Sequence, residues 1–481
     1  MSLKDDLIKA RSYIVFIAGL LTAFALVYYI ETHATVRSVA VTPPALFPSV
    51  IPKGPAGSKP SAPAAPAKVA ATAPAGVRPV APAGVTTAPT SSVDLPAATA
   101  KRRKANEADL AAARTAWAYF TRNTEPSGLV NSVDAYPAST LWDTGSTVLA
   151  LLSAEPIGIL SREELEARAG KLLDALARLP LFDGRLPNKS YNTRTLAMVT
   201  YTNQETAQGI GWSAVDLGRM LLALQGLKKS HPALASRVDA VLARWKIADA
   251  VADGHLVGAY RDKQTGAVRL HQEGRLGYEQ YAAAGFARSG IAAPKAADYG
   301  AQLRYLTVDG AEIPVDAREP STGGGQNYAL SEPWILLALE TGLPGPAREM
   351  ARRIYLAQQA RHAAGGPLTA VSEDHLDRPP YFVYSTVYSG GTPWAVLTPD
   401  GKDAADFRLL SLKTAFAWDA VYADDYTAQL VGAEAGLSDP AKGWYAGRYE
   451  KSGETNRSLN ANTNAIVLEA IAYRLGGPLL P

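Results

Sequence analysis

The chain has no cysteine, and only six histidines and four methionines among its 481 residues. Without thiols it has no disulfide, no thiolate metal site and no lipid-modified cysteine. The histidines, at 33, 231, 255, 271, 362 and 375, form no HExxH pattern, which argues against a zinc hydrolase. There is no GxSxG elbow for a serine esterase. Gly323-Gly324-Gly325-Gln326-Asn327 lacks the GK(S/T) ending of a phosphate loop and reads as a rim segment. An excess of one charge is missing too. The net charge is +3, from 48 basic and 45 acidic residues, so no sustained basic face is offered to nucleic acid. Asp400, Asp403 and Asp406 read as solvated turn acids rather than calcium ligands. The sequence implies no metal and no cofactor.

One long apolar run is present. Residues 13–30, YIVFIAGLLTAFALVYYI, carry no charge over 18 positions, enough for a membrane span. Lys4, Lys9 and Arg11 precede the run, which places residues 1–12 in the cytoplasm and everything beyond 30 outside it. Ser38-Val39-Ala40 resembles a signal-peptide cleavage site. It lies ten residues past the run, however, and the run exceeds the usual apolar core of a signal peptide. The expectation is an uncleaved, single-pass signal-anchor in a bacterial inner membrane, with the C-terminal domain in the periplasm. Residues 31–104 are rich in Pro and Ala and show no hydrophobic period, so they read as a disordered linker. Sixty such residues would span about 45 Å as a coil and up to about 190 Å as polyproline II. The KRRK run at 101–104 reads as its solvated end.

Residues 105–481 have helical periodicity, as in Leu217, Met220, Leu221, Leu224 and Leu227. The spacing predicts helices at 106–121, 143–155, 161–179, 211–228, 232–246, 276–289, 293–306, 330–341, 345–363, 407–421, 424–436 and 461–475. Alternate helices are apolar nearly all round, and those between them are amphipathic. Six buried and six covering helices make an all-α (α/α)6 toroid, with small β-hairpin insertions in 251–272 and 378–400. The long loops 180–210, 307–329 and 366–406 then join one rim.

At the starts of the apolar helices stand Trp142-Asp143, Trp212 with Asp216, Tyr278-Glu279-Gln280-Tyr281, Glu332 with Trp334, and Asn460-Ala461-Asn462-Thr463-Asn464. Rings that stack on sugar C–H faces beside groups that bond hydroxyls suit a carbohydrate. Glycoside hydrolysis needs one carboxyl kept protonated and one ionised. Glu279 is the candidate acid, because Tyr278 and Tyr281 would desolvate it. Asp143 is the candidate base, stabilised at a helix start. Glu205 and Glu332 are reserves for either role. Trp142, Trp212, Tyr278, Tyr281, Trp334, Tyr449, Asn462 and Asn464 are candidate substrate contacts. Each also has a plainer reading: Asp143 and the asparagines as helix caps, Glu332 as a first-turn acid, Glu279 as a buried hydrogen-bonded residue.

The stretches GLVNSVDAYPASTLWDTGSTVLALL, YEQYAAAGF, ALSEPWILLALE and GWYAGRYEKSGETNRSLNANTNAIVLEA resemble a bacterial envelope family, domain of unknown function 3131. That family is grouped with the six-hairpin, glucoamylase-like glycosidases. The last stretch, with Tyr445, Gly447, Tyr449, Glu450, Asn462, Thr463 and Asn464, is the most distinctive. The resemblance implies an (α/α)6 fold and work on envelope or secreted polysaccharide, and it carries over no catalytic residue. The expected activity is inverting hydrolysis of an exopolysaccharide or periplasmic glucan. The alternative is a non-catalytic polysaccharide-binding scaffold beside an envelope glycan synthase or export complex.

Overall fold

The computed structural model describes residues 85–95, 103–262, 264–320 and 325–480. The span expected at 13–30 lies outside them. No helix among the described residues is long and apolar enough to cross a membrane.

Twelve helices follow one another among the described residues. They are α1 (Glu107–Asn123), α2 (Leu141–Ile157), α3 (Arg162–Arg178), α4 (Ala214–Ser230), α5 (Ala235–Leu242), α6 (Tyr278–Arg288), α7 (Pro294–Ala297), α8 (Glu332–Leu336, extended by a π turn Leu337–Thr341), α9 (Ala347–Ala363), α10 (Leu412–Val421), α11 (Asp425–Ala433) and α12 (Ala461–Gly476). The even-numbered helices are inner. Alanine, leucine and glycine on every face let α2, α4 and α12 bury almost their whole length. Amphipathic α3 buries only the stripe of Leu165, Ala169, Gly170, Leu172, Leu173, Ala175 and Leu176. Around the ring α2 meets α4, then α6, α8, α10 and α12, and α12 returns to α2. Small residues set the closest crossing. A Cβ on Gly285 would lie 1.9 Å from the Gly218 carbonyl oxygen, so α4 and α6 approach backbone to backbone.

One guanidinium sits on the toroid axis. Arg219 of α4, with no accessible surface, donates to Tyr281 of α6 at 2.5 Å, Glu340 beside α8 at 2.8 Å and Ser146 of α2 at 3.2 Å. Glu469 of α12 lies 3.6 Å away, and the Trp142 ring lies under the guanidinium at 4.8 Å. Five inner helices therefore share one charge cluster.

Short strands decorate one rim. They include β1 (Ala138–Thr140) with β2 (Ser190–Asn192), β3 (His255–Arg261) with β4 (Val268–Gln272), β5 (Leu303–Val308) with β6 (Ala311–Asp316), β7 (Glu373–His375) with β8 (Phe382–Ser385), and β9 (Gly443–Tyr449) with β10 (Thr455–Leu459). Three expectations are corrected here. The helix expected at 293–306 shrinks to α7, because Leu303–Val308 forms a hairpin strand. Asp309 and Gly310, both at positive φ, make the turn that favours such a hairpin. The stretch before α10 is a strand, Leu409–Ser411, paired with β9. The disordered linker does not run to 104: residues 86–94 lie along the domain, with Thr86 bridged to Tyr305 of β5.

Candidate functional site

The inner helices begin on the same rim, and their caps present side chains there. Thr140 caps α2 by accepting from the Asp143 amide, and Ser213 caps α4 by accepting from the Asp216 amide. Each hydroxyl donates back to the acid: Thr140 to Asp143 at 2.8 Å and Ser213 to Asp216 at 2.9 Å. The two first turns are thus built alike. The first turns of α6, α8, α10 and α12 add Tyr278 with Glu279, Glu332, Lys413 and Asn462. Unpaired amides and the positive dipole end favour acids at these positions.

Two of the acids at this rim stay partly exposed. Asp216, and Glu373 on β7, keep part of their surface open while packed protein surrounds the rest. Burial, reinforced by Glu273, pushes the Asp216 carboxyl up to about 7. Burial, reinforced by Glu332, pushes Glu373 up to about 8, and Asp216 also acts on it. The Tyr278 hydroxyl donates to Glu373 Oε2 at 2.6 Å. Aromatic rings surround the pair. Tyr384, opposite Glu373 in the β7–β8 register, stacks on Tyr328 with centroids 4.0 Å apart and planes at 4°. Trp142 packs on Tyr278 at 6.1 Å, and Tyr201, 37% exposed, projects from its loop within electrostatic range of Asp216.

A charged floor lies beneath. Lys413 bonds Glu332 at 2.6 Å and lies 4.0 Å from Asp374. Burial pushes Asp374 up to about 7. Lys189, also buried, lies within electrostatic range of Glu273 and Asp216.

Asp143 is buried on this rim and accepts from Ser132 at 2.6 Å as well as from Thr140. It acts electrostatically on Asp216 and on His375. Glu279 faces elsewhere. Arg318 clamps it with two nitrogens, Gln272 donates at 2.7 Å, and Asp316 shares the same arginine. Burial raises its carboxyl and Arg318 pulls it back. It lines a separate cavity of about 180 Å³ with His255, Lys295, Asp298 and Tyr299. Glu332 has no accessible surface and is held by Lys413, Ser372 and Asn462. Glu205 is exposed on the 200–206 loop.

Several expected substrate contacts are corrected. Trp212 is 1% exposed, with its indole nitrogen donating to the Val257 carbonyl and its ring edge-on to Phe182. Trp334 and Tyr281 are likewise core residues, and a fully buried ring has no face for a sugar. Tyr449 packs in a smaller apolar cluster and donates to Asp377. Asn464 spends its amide on the backbone of Trp444 and Asn460. Asn462 is 5% exposed and ties Glu332 to Ser146, which makes it part of the floor. Trp142 and Tyr278 remain at the rim.

The candidate list passed over Glu373, Lys413 and Lys189 and gave Asp216 no role. Asp216 had a signal, since Ser213-Ala-Val-Asp216 repeats Thr140-Leu-Trp-Asp143. Lys413 had one as well, as a charge in the first turn of a largely apolar helix. Glu373 had none beyond its place in the long 366–406 loop.

Solved structures share this frame. An endo-β-1,2-glucanase from Chitinophaga pinensis, solved with sophorotriose and glucose, superposes with a TM-score of 0.56. It is 14% identical, over 78% of this chain and 94% of that one. A provisionally assigned glucoamylase from Bacteroides caccae gives 0.55 at 16% identity, over 77% and 94%. A β-1,2-glucanase from Parabacteroides distasonis gives 0.52 at 11% identity, over 77% and 57%. The fold is thus the (α/α)6 toroid of the glucoamylase-like glycosidases. Within it the chain belongs to the family described as a protein of unknown function, DUF3131, whose sequence pattern matches residues 111–477. No curated protein matches the sequence.

Proposed function

We propose that this domain is a glycoside hydrolase acting on a glucan, with Glu373 as the acid and Asp216 as the base. The observation that carries this reading is a pair of partly exposed carboxyls at the inner-helix rim that act on one another electrostatically beside Tyr278, Tyr384 and Tyr201. With a pKa of about 8, Glu373 holds its proton at neutral pH and can deliver it to the leaving glycosidic oxygen. Asp216, at about 7, is ionised in half or more of the molecules above that pH. It takes a proton from water as the water oxygen bonds to the anomeric carbon. Asp143 lies beside Asp216 as a positioning carboxylate for that water. Tyr201 supplies an apolar face for a sugar ring. Inversion is the expected outcome, and the anomer first released, followed by NMR, checks it.

Similarity to endo-β-1,2-glucanases supports a β-glucan, here one of the periplasm or an exopolysaccharide. A membrane anchor at 13–30 would hold the domain outside the cytoplasm, beside a glycan synthase complex. A phosphatase reporter fused after residue 100 should be active; an inactive, cytoplasmic fusion would sink that placement. For the activity, the purified protein is incubated with β-1,2-glucan, other β-glucans and secreted polysaccharides, and reducing ends are counted. Folded protein that binds a glycan without cleaving it, unchanged by Asp216→Asn, would establish the scaffold reading instead.

A further inference from the structure

Residues 86–94 and the surface they cover have the makings of a ligand and its receptor. Thr86 exchanges two backbone hydrogen bonds with Tyr305 on the edge of β5, at 2.9 and 2.8 Å. Four residues on, one carboxylate takes both the amides and the hydroxyls of a Thr-Ser pair. Glu312 of β6 accepts from Thr90 N at 2.9 Å and Thr90 Oγ1 at 2.9 Å, then from Ser91 N at 3.2 Å and Ser91 Oγ at 3.0 Å. Arg353 of α9, itself 1% exposed, completes the seat. It bonds Glu312 at 3.1 Å and the Ser91 carbonyl, and it is held from behind by Glu349 at 2.8 Å. Arg352 reaches the Asp94 carbonyl at 3.3 Å.

The seat is built from parts far apart in sequence, and its recognition is specific. An open strand edge supplies register, as in β-strand addition. A carboxylate backed by a buried arginine reads two consecutive hydroxyl residues. Burial works against the Glu312 charge, yet the Thr90 and Ser91 donors hold its carboxyl down at about 2. The acceptor is therefore ionised at every physiological pH.

We propose that β5, Glu312 and Arg353 form a peptide-binding site for an extended Thr-Ser segment, and that its ligand is the chain's own 86–94. Joined to the domain, the segment has an effective concentration of order millimolar, so even a weak seat stays filled. The site also bears on the rim. Beyond Glu312, β6 ends at Asp316, which accepts from the Leu276 amide at 2.9 Å and holds Arg318 against Glu279. The seated strand thus braces the corner of the rim where α6 begins.

The test uses the full-length chain and a version in which 86–94 is replaced by nine Gly and Ser residues, with a fluorescent peptide of residues 85–95 as probe. The peptide should bind the replaced chain with a Kd of about 0.1 mM or tighter, tenfold or more below the effective concentration, so that the tethered segment keeps the seat filled. It should bind the natural chain at least tenfold more weakly, because the seat is already filled. Adding Glu312→Gln to the replaced chain should abolish binding. Binding to neither chain, or equally to both, overturns the proposal. If the replaced chain fails to fold, hydrogen exchange on the natural chain decides. Protected amides at Thr86, Thr90 and Ser91 support the seat, and exchange as fast as in a free peptide overturns it. None of these measurements depends on glycan cleavage.

Discussion

Asp216 and Glu279 occupy equivalent places, the first turns of the neighbouring inner helices α4 and α6. Both are acids in crowded surroundings, and burial pushes both carboxyls upward. They differ in their partners. Asp216 accepts from a serine hydroxyl and lies within electrostatic range of Glu273 and Asp143. Glu279 meets a guanidinium end-on and shares it with Asp316. A proton donor or base has to exchange protons with a ligand, and a carboxylate locked in a two-point arginine pair is committed to the fold. The difference is what makes Asp216 the proposed base and Glu279 a proposed structural residue, although the aromatic surroundings of Glu279 made it the more attractive candidate in the sequence.

The largest test of that contrast is substitution of the rim acids. Asp216→Asn and Glu373→Gln should each lower glucan turnover by about 10²–10⁴-fold, with thermal unfolding unchanged or slightly later. Glu279→Gln should lower the melting temperature and leave turnover of the folded fraction within about tenfold. The reverse pattern would exchange the two roles. Next in size is Arg318→Met, which leaves Glu279 and Asp316 buried without their cation. It should cost about 3 kcal/mol or more in denaturant unfolding, and a neutral result would show that the clamp is ornamental.

The pH profile sharpens the comparison further. Asp216 must be ionised, so the rate rises as pH climbs through about 7. Glu373 must be protonated, so the rate falls as pH climbs through about 8. The result is a narrow bell between them, with limbs that belong to the interacting pair rather than to either residue alone. A flat profile from 6 to 9 would remove both from the chemistry. Ser213→Ala should have the smallest effect, about 1 kcal/mol of stability from the lost cap. Its hydroxyl holds the Asp216 carboxyl down, so the rising limb should also move to higher pH.

Much of the frame was legible because it rests on local pattern. All-apolar and amphipathic helices alternate in the sequence, and that alternation alone places α2, α4 and α12 inside and α3 outside. The rim was legible for the same reason, since caps and first-turn acids sit at fixed offsets from the helix starts. What stayed hidden depends on distant partners. Glu279 and Arg318 are 39 residues apart, and Glu332 and Asn462 are 130 apart. No local rule distinguishes an aromatic ring that stays exposed, as at Tyr201, from one sealed in the core, as at Trp212 or Trp334. Glu373 lies on a small three-stranded sheet within a long loop, where helix periodicity has nothing to say. The Thr-Ser segment at 90–91 was hidden by its composition. Proline and alanine on either side made it look like linker, while its receptor lies more than 200 residues downstream.

The ring of inner helices closes where α12 returns to α2, and α1 packs against α12 on the way in. At that seam the Arg103 amide donates to the Arg474 carbonyl at 3.2 Å, and Arg474 lies 3.6 Å from Asp109. The start of α1 and the end of α12 therefore lie side by side, as the two ends of a clasp do. A short bridge from 476 to 103, with new termini opened at the exposed Gly290 or Gly436 turns, should give circular permutants that keep all six hairpins.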